Sequence, residues 1–506
     1  MRFQKLIIAF ALFLLVGSFL LRGITLLDPD FGWHLKMGEL ISTAGRLPET
    51  DPFSYTMPSF SFIDHEWLTN LIIFKLYPFL GVGGLAILTT LISLSALAIA
   101  IVNPLSRKAA PGGLGFWRKT STAFLLGAGV LILYSGVRPQ VVSWLFLAIL
   151  LWLILNEAVW RRLRFVSPLF FVLWVNLHAS FSAGLATLYL VLILRAVRQR
   201  RVDIKDLIAA ISSLLATFVN PYGPRIWQEV WLQVSDASLR WTIIEWMPAP
   251  LFFNVPLLFL IALSLLLLIK YRRRFYLEEK GLYLAFLIQG TASVTHIPLW
   301  VVVTLPLLSL STDYFFRDLR KIPFGISRFA KSYKFALLAS LLIFTFEAAI
   351  SLSGAGSLAE TAFYPYKAVS YLRQQLPGGQ ILSSYNWGGY LIWKLPEKKV
   401  FIDGRMPSWR WEANLANESN YAMKDYKALL NGEVFYQEIF EKYGIETVLW
   451  PVPRKIGFWG YLEDRLNRLL TQFGGKYDFD LIKELKEAGW EEIYSDQIAA
   501  VYQRPD

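Results

Sequence analysis

A series of apolar stretches of membrane length sets the first constraint on this chain. They lie at about 6–27, 83–103, 120–136, 140–156, 165–177, 180–194, 205–220, 254–269, 281–296, 298–312 and 334–352, and a bilayer-spanning helix takes roughly 20 residues. Hydrocarbon offers no partner to backbone N–H and C=O groups, so stretches of this kind cross it as helices. The 506 residues are 55% hydrophobic and 16% aromatic, with a mean hydropathy of +0.43, which places the chain among membrane proteins. The expected fold class is mainly α: a polytopic membrane protein of about eleven spans with a C-terminal α/β domain. Cysteine is absent, which excludes disulfides and Cys-ligated metal sites.

The net charge of +12 is a topology signal rather than a nucleic-acid signal. Residues 1–352 carry 32 Lys and Arg against 18 Asp and Glu, whereas 353–506 carry 18 against 20. The basic loops are Arg107 to Lys119, Arg161 to Arg164, Arg195 to Lys205, Lys270 to Lys280 and Arg317 to Lys334. Placing them in the cytoplasm with the N-terminus predicts an inner-membrane protein whose first loop, 138–140 tip, 176–180 turn, 220–253 loop, 296–298 turn and C-terminal domain lie outside. This parity requires residues 66–80 to form an interfacial helix, ending at Gly81-Val82-Gly83-Gly84, instead of crossing. The first apolar stretch follows Arg2 and Lys5, lacks a small-residue cleavage site, and reads as an uncleaved helix. The expected domains are therefore 1–352, a helical membrane domain including the outer loop 28–66, and 353–506, an extracytoplasmic α/β domain. In the latter, strands ILSSY, KVFI, ETVLWPV, EEIYSD and IAAVYQR alternate with helices around 421–443 and two more to about 488.

From Asp28 to Glu66 the chain holds seven of the 18 acids of its first 352 residues. Carboxylates are costly near a bilayer, so this cluster is a candidate site, against the plain reading of a solvated loop. Asp30 is placed to cap a helix starting at Phe31, and Pro29 holds Asp28 out of helical conformation. A cap needs no second acid two residues earlier, whereas a group-transfer site needs a carboxylate to accept a proton or hold a divalent metal. His34 follows in the same helix, Asp51 opens a DPFSY turn, and His65-Glu66 start the interfacial helix, where Glu66 also suits the helix dipole. The four histidines, His34, His65, His178 and His296, all fall on the outer side, with a spacing that matches no compact metal motif. Arg138, between two spans, either snorkels to headgroups or meets a phosphate. His178 and His296 are each either a satisfied interfacial side chain or part of a site. Beyond the Asn220-Pro221-Tyr222-Gly223 turn lie Arg225, Arg240 and Glu245, the last either a rim acid or a solvated loop residue. Asp403-Gly404-Arg405 reads as a strand-end turn whose Asp and Arg either pair with each other or take an active role.

Asp28-x-Asp30, Trp33-His34-Leu35, Asp51-Pro52-Phe53-Ser54, His65-Glu66-Trp67-Leu68, Arg138-Pro139-Gln140, Asn176-Leu177-His178 and the Asn-Pro-Tyr-Gly turn form a pattern. It resembles the polytopic GT-C glycosyltransferase superfamily, which includes protein O-mannosyltransferases, aminoarabinose transferases and oligosaccharyltransferase catalytic subunits, and most of all a prokaryotic branch of it. The resemblance covers most of residues 5–405 as scattered short motifs. It implies that Asp30, with Asp28 beside it, is catalytic base or metal ligand, the metal being a divalent cation such as Mg or Mn. It further implies a polyprenyl-phosphate-linked sugar as donor, its phosphate met by Arg138, Arg225 or Arg240, and a glycan, lipid or protein acceptor on the outer face. His65-Glu66-Trp67-Leu68 replaces the Lys-Pro-Pro-Leu or His-Pro-Pro-Leu element of mannosyl- and aminoarabinosyl-transferring relatives. The C-terminal domain lacks a WWDYG-type signature, so Asn glycosylation is not expected. Two other readings are a transporter or lipid-handling protein and an envelope scaffold. A conduit needs ionisable residues in mid-span, and Glu347 is the clearest acid of that kind.

Overall fold

The computed structural model describes residues 2–102, 114–249, 255–319, 321, 333–413, 415–453 and 479–505. Arg107 and Lys108, most of the basic loop between Arg317 and Lys334, and a helical stretch expected before residue 479 lie outside the described residues. Contacts divide the chain into two compact units, Met1–Leu27 with Ile63–Gly356 and Asp28–Phe62 with Ser357–Asp506. The outer loop, expected as part of the membrane domain, is thus shared between them: residues 28–62 fold with the C-terminal segment.

The first unit is helical. Four helices are long and apolar enough to cross a membrane: Trp67–Val102, Phe181–Gln199, Val294–Leu319 and Phe335–Ser357. Gln140–Leu155 and Glu157–Leu177, bent by 101°, make a fifth if the pair is one span. Ala9–Thr25, Thr120–Ile132 and Pro256–Lys270 are shorter apolar helices. Eleven separate spans were expected; among the described residues, several of those stretches fold as helices too short to reach across hydrocarbon alone. The bend is local in origin. Asn156 takes an extended backbone, and its side chain accepts the Val159 N–H to cap the next helix. Helix 294–319 forms the centre, with 78% of its apolar window buried against 39–44% in the other three long helices.

The helix from Trp67 breaks at Gly81, whose φ of 58° is open to glycine and strained for other residues. The break falls at the expected end of the interfacial helix, so 67–80 and 82–102 are two helices joined at a kink. Arg22 ends the first helix buried, and its guanidinium donates to the carbonyls of Leu133, Ser135 and Ser351 at 2.7, 3.0 and 2.7 Å. The Leu133 and Ser135 carbonyls lie just past the C-terminal end of the helix Leu114–Ile132, where backbone acceptors lack intrahelical partners, and the Ser351 carbonyl lies in the last two turns of the helix Tyr333–Ser357.

The second unit holds a four-stranded sheet of β1 (Gln380–Ser383), β2 (Ile445–Pro451), β3 (Glu491–Ser495) and β4 (Ala499–Gln503), in the order β1-β2-β4-β3. β1 and β2 are parallel, joined through helices Gly388–Lys394, Ala422–Leu430 and Tyr436–Tyr443. The other pairs are antiparallel, and Asp496 closes the β3–β4 turn by accepting the N–H groups of Ile498 and Ala499. KVFI, expected as a strand, makes only one bridge, with Val400 pairing in parallel to Ser54. Its neighbour is the DPFSY segment, a short extended piece of the first loop that carries no ladder further. Helix Phe31–Ala44 packs on Gly388–Lys394 so closely that a methyl group at Gly32 would collide with the Gly389 carbonyl.

Candidate functional site

In the helical unit, motifs distant in sequence meet around one turn. Asp64 starts it: its carboxylate accepts the Glu66 N–H at 3.0 Å and the Asn70 amide at 2.9 Å. The Asp64 N–H donates to the Tyr222 hydroxyl at 3.1 Å, bringing in the Asn-Pro-Tyr-Gly turn. Trp67 donates its indole N–H to Asn176 at 2.9 Å, and the Asn176 amide donates to the Val219 carbonyl. Thr69 donates to the Leu177 carbonyl at 2.7 Å. The turn that carries His65 and Glu66 is therefore held from two other segments of the bundle.

Glu66 is buried, and its Oε1 lies 3.0 Å from His178 Nε2 and 3.8 Å from His65 Nε2. The far side of the His178 ring decides the proton. Nδ1 is 3.0 Å from the Ser180 backbone N–H, which can only donate, so Nδ1 is an acceptor. Ser143 Oγ accepts the Trp174 indole N–H at 2.9 Å and stands 3.0 Å from the same Nδ1. The imidazole proton is thus assigned to Nε2, and a neutral His178 donates to the Glu66 carboxylate. This chain of bonds orients Glu66 while leaving the negative charge on it.

The pair opens on a cavity of about 360 Å³ within the helical unit, which His65, His178, Gln140, Glu245 and His296 also line. Three of the four histidines thus meet at one place. Arg138 does not line the cavity; it pairs with Glu245 at 3.0 Å. Arg225 begins the helix Arg225–Ser235, and Arg225 and Arg240 are exposed. That amphipathic helix places Gln233 and Val234 at the cavity and buries Glu229, whose carboxyl burial pushes up from its ordinary value.

Asp64 was not singled out in the sequence. Its signal is its position three residues ahead of the Trp67 helix, in the turn its side chain holds. Burial pushes its carboxyl up to about 6 from 3.8, against the lowering effect of its hydrogen bonds. The folded state therefore holds this proton more tightly than the unfolded chain. Its contribution is present below about pH 4 and lost as the pH rises through 6, a change of roughly 3 kcal/mol. The thermal midpoint of the purified protein should accordingly fall between pH 4 and 7, and Asp64→Asn should flatten that slope. Parallel pH curves for the two proteins would remove Asp64 as its source.

The remaining candidates belong to the second unit. Asp28 is buried, and its Oδ1 accepts the Asp30 N–H at 2.9 Å, closing the turn before the helix. Asp30 occupies the cap position but makes no side-chain cap bond. Its carboxylate lies against Gly404, where any side chain would collide with it. His34 is buried with its ring 3.7 Å from that of Trp33. Asp51 is buried in an ion triad: Arg405 donates to it at 2.7 Å and to both oxygens of Asp403 at 2.8 and 2.6 Å. The rings of Phe53, Phe62 and Trp409 stand 4.9–5.2 Å from that guanidinium. Asp51, expected as a substrate-binding acid, takes part in this triad, and the Asp403–Arg405 pairing expected from the turn is present. Among the described residues no three His, Asp or Glu side chains come together as metal ligands, so no divalent-cation step is derived.

No protein-family model and no curated protein matches the chain. Among solved structures, the Archaeoglobus fulgidus oligosaccharyltransferase in the apo form has a TM-score of 0.56 at 13% identity, over 87% of this chain and 69% of that one. ArnT from Cupriavidus metallidurans in the apo state has a TM-score of 0.54 at 12% identity, over 100% of this chain and 99% of that one. The same enzyme bound to undecaprenyl phosphate gives 0.50 at 11%, with the same coverage. At these identities the likeness is one of fold. The chain shares the fold of these two proteins.

Proposed function

We propose that this protein is a membrane glycosyltransferase that moves a sugar from a polyprenyl-phosphate donor to an acceptor on the extracytoplasmic face. The observation that carries the reading is the convergence of the His-Glu-Trp and Asn-Leu-His segments on a cavity with an oriented carboxylate, beside a turn held by the Asn-Pro-Tyr-Gly segment, in a fold shared with lipid-linked-sugar transferases. In the reaction an acceptor hydroxyl attacks the anomeric carbon, the bond from that carbon to the phosphate oxygen breaks, and polyprenyl phosphate leaves. Asp30 takes the acceptor's proton in this reading, by the resemblance of its motif. The polyprenyl tail lies among the apolar helices of an inner-membrane protein whose N-terminus is cytoplasmic and whose C-terminal unit is outside. Arg138, Arg225 and Arg240 remain the candidates for the donor phosphate.

The test uses the full chain in liposomes with decaprenyl-phosphate-linked sugars, labelled in the sugar, and an envelope lipid and glycan extract. Label should leave the donor and appear in acceptor, with free decaprenyl phosphate formed in equal amount. A transporter would move the donor lipid across the bilayer without consuming it, and that result would overturn the assignment. A scaffold would do neither.

A further inference from the structure

We propose that the cavity beside Glu66 admits an uncharged sugar ring and excludes a uronic acid, with Glu66 as the discriminating group. The inference rests on the reading above, in that the sugar is the one the protein transfers. A volume of about 360 Å³ is at the small end of ligand pockets and suits one monosaccharide. Trp144 and Trp246 supply aromatic surface for the C–H face of a pyranose, and Gln233, Gln289 and Thr295 supply groups for its hydroxyls. Gln140 Oε1, His65 Nδ1 and His296 Nδ1 are buried without a hydrogen-bond partner, and all three residues line this cavity. A buried polar atom left unpaired destabilises the fold, so three around one space point to a polyhydroxylated occupant.

The charge of the lining supplies the selectivity. No Lys or Arg is among the lining residues, and Arg138 already meets Glu245. His178 is held neutral through Ser180 and so orients Glu66 without cancelling its charge. A second carboxylate in this low-dielectric space would face the Glu66 charge, with no Lys or Arg in the cavity wall to receive it.

Saturation-transfer NMR on the full chain in nanodiscs tests this with methyl β-D-glucopyranoside and methyl β-D-glucuronide as probes. The wild type should transfer saturation to the glucoside at least tenfold more strongly than to the glucuronide. Glu66→Gln should bring the two within about threefold. Gln140→Leu removes an unpaired acceptor, so it should keep the thermal midpoint and weaken the glucoside signal severalfold. Equal signals from both probes in the wild type, no signal from either, or unchanged discrimination in Glu66→Gln would each overturn the proposal. Selective binding with no transfer from any polyprenyl-phosphate donor would sink the transferase reading and leave this one standing. Transfer without selectivity would do the reverse.

Discussion

Asp30→Asn is expected to lower sugar transfer by about 10²–10⁴-fold, the usual contribution of a positioned general base. The substitution keeps the size of the side chain, so its packing against Gly404 is retained. Asp30 makes no side-chain cap bond, so the helix at Phe31 loses no support of that kind. Donor binding and thermal midpoint should therefore stay near wild type while turnover falls, and a steady-state assay alongside a melting curve separates the two. Asp28→Ala should behave in the opposite sense. Asp28 holds the turn through the Asp30 N–H, so its loss should cost stability of about 1 kcal/mol, typical of a local side-chain cap, with a smaller effect on turnover. Wild-type transfer by Asp30→Asn would refute the assignment of the base.

Arg405→Ala is expected to destabilise the second unit by about 3–5 kcal/mol, because Asp51 and Asp403 would remain buried as uncompensated charges. The arginine is itself buried among aromatic rings, so the cavity it leaves adds to the cost. Arg405→Lys should not rescue it, since an ammonium lacks the planar fork that serves both carboxylates at once. The readout is limited proteolysis of the intact chain. Cleavage should begin within 28–62 and 357–413, with the helical unit still protected. A proteolysis pattern identical to wild type would show that the triad contributes little to holding this unit together.

Elements set by local periodicity and turn chemistry were legible in the sequence. The apolar stretches became helices, the break came at Gly81, and the β3–β4 hairpin formed where EEIYSD and IAAVYQR flank an Asp turn. Elements set by distant pairing were not. Asp51 and Arg405 are 354 positions apart, and Ser54 and Val400 pair across a similar distance. Nothing in either segment alone announces the other, which is why the first loop reads as part of the membrane domain and Asp51 as a site acid. The number of separate long helices differs from the number of apolar stretches for a related reason. Hydropathy marks where a helix is apolar, and a break such as Asn156 decides whether two stretches count as one. In the candidate site, His65, Glu66, His178, Glu245 and His296 could be named from charge topology and motifs, and the cavity brings them together. Ser143, Ser180 and Trp174, which set the His178 tautomer, lie in apolar or turn segments that carry no signal of their own.

The account stands on the helical unit's cavity as the place where the donor's sugar sits. The most direct measurement is a structure of the full chain with a polyprenyl-phosphate-linked glucose bound. The account predicts density for the sugar in the cavity, within hydrogen-bond distance of Glu66 and Gln140. A headgroup seated elsewhere, with that space holding water alone, would contradict it.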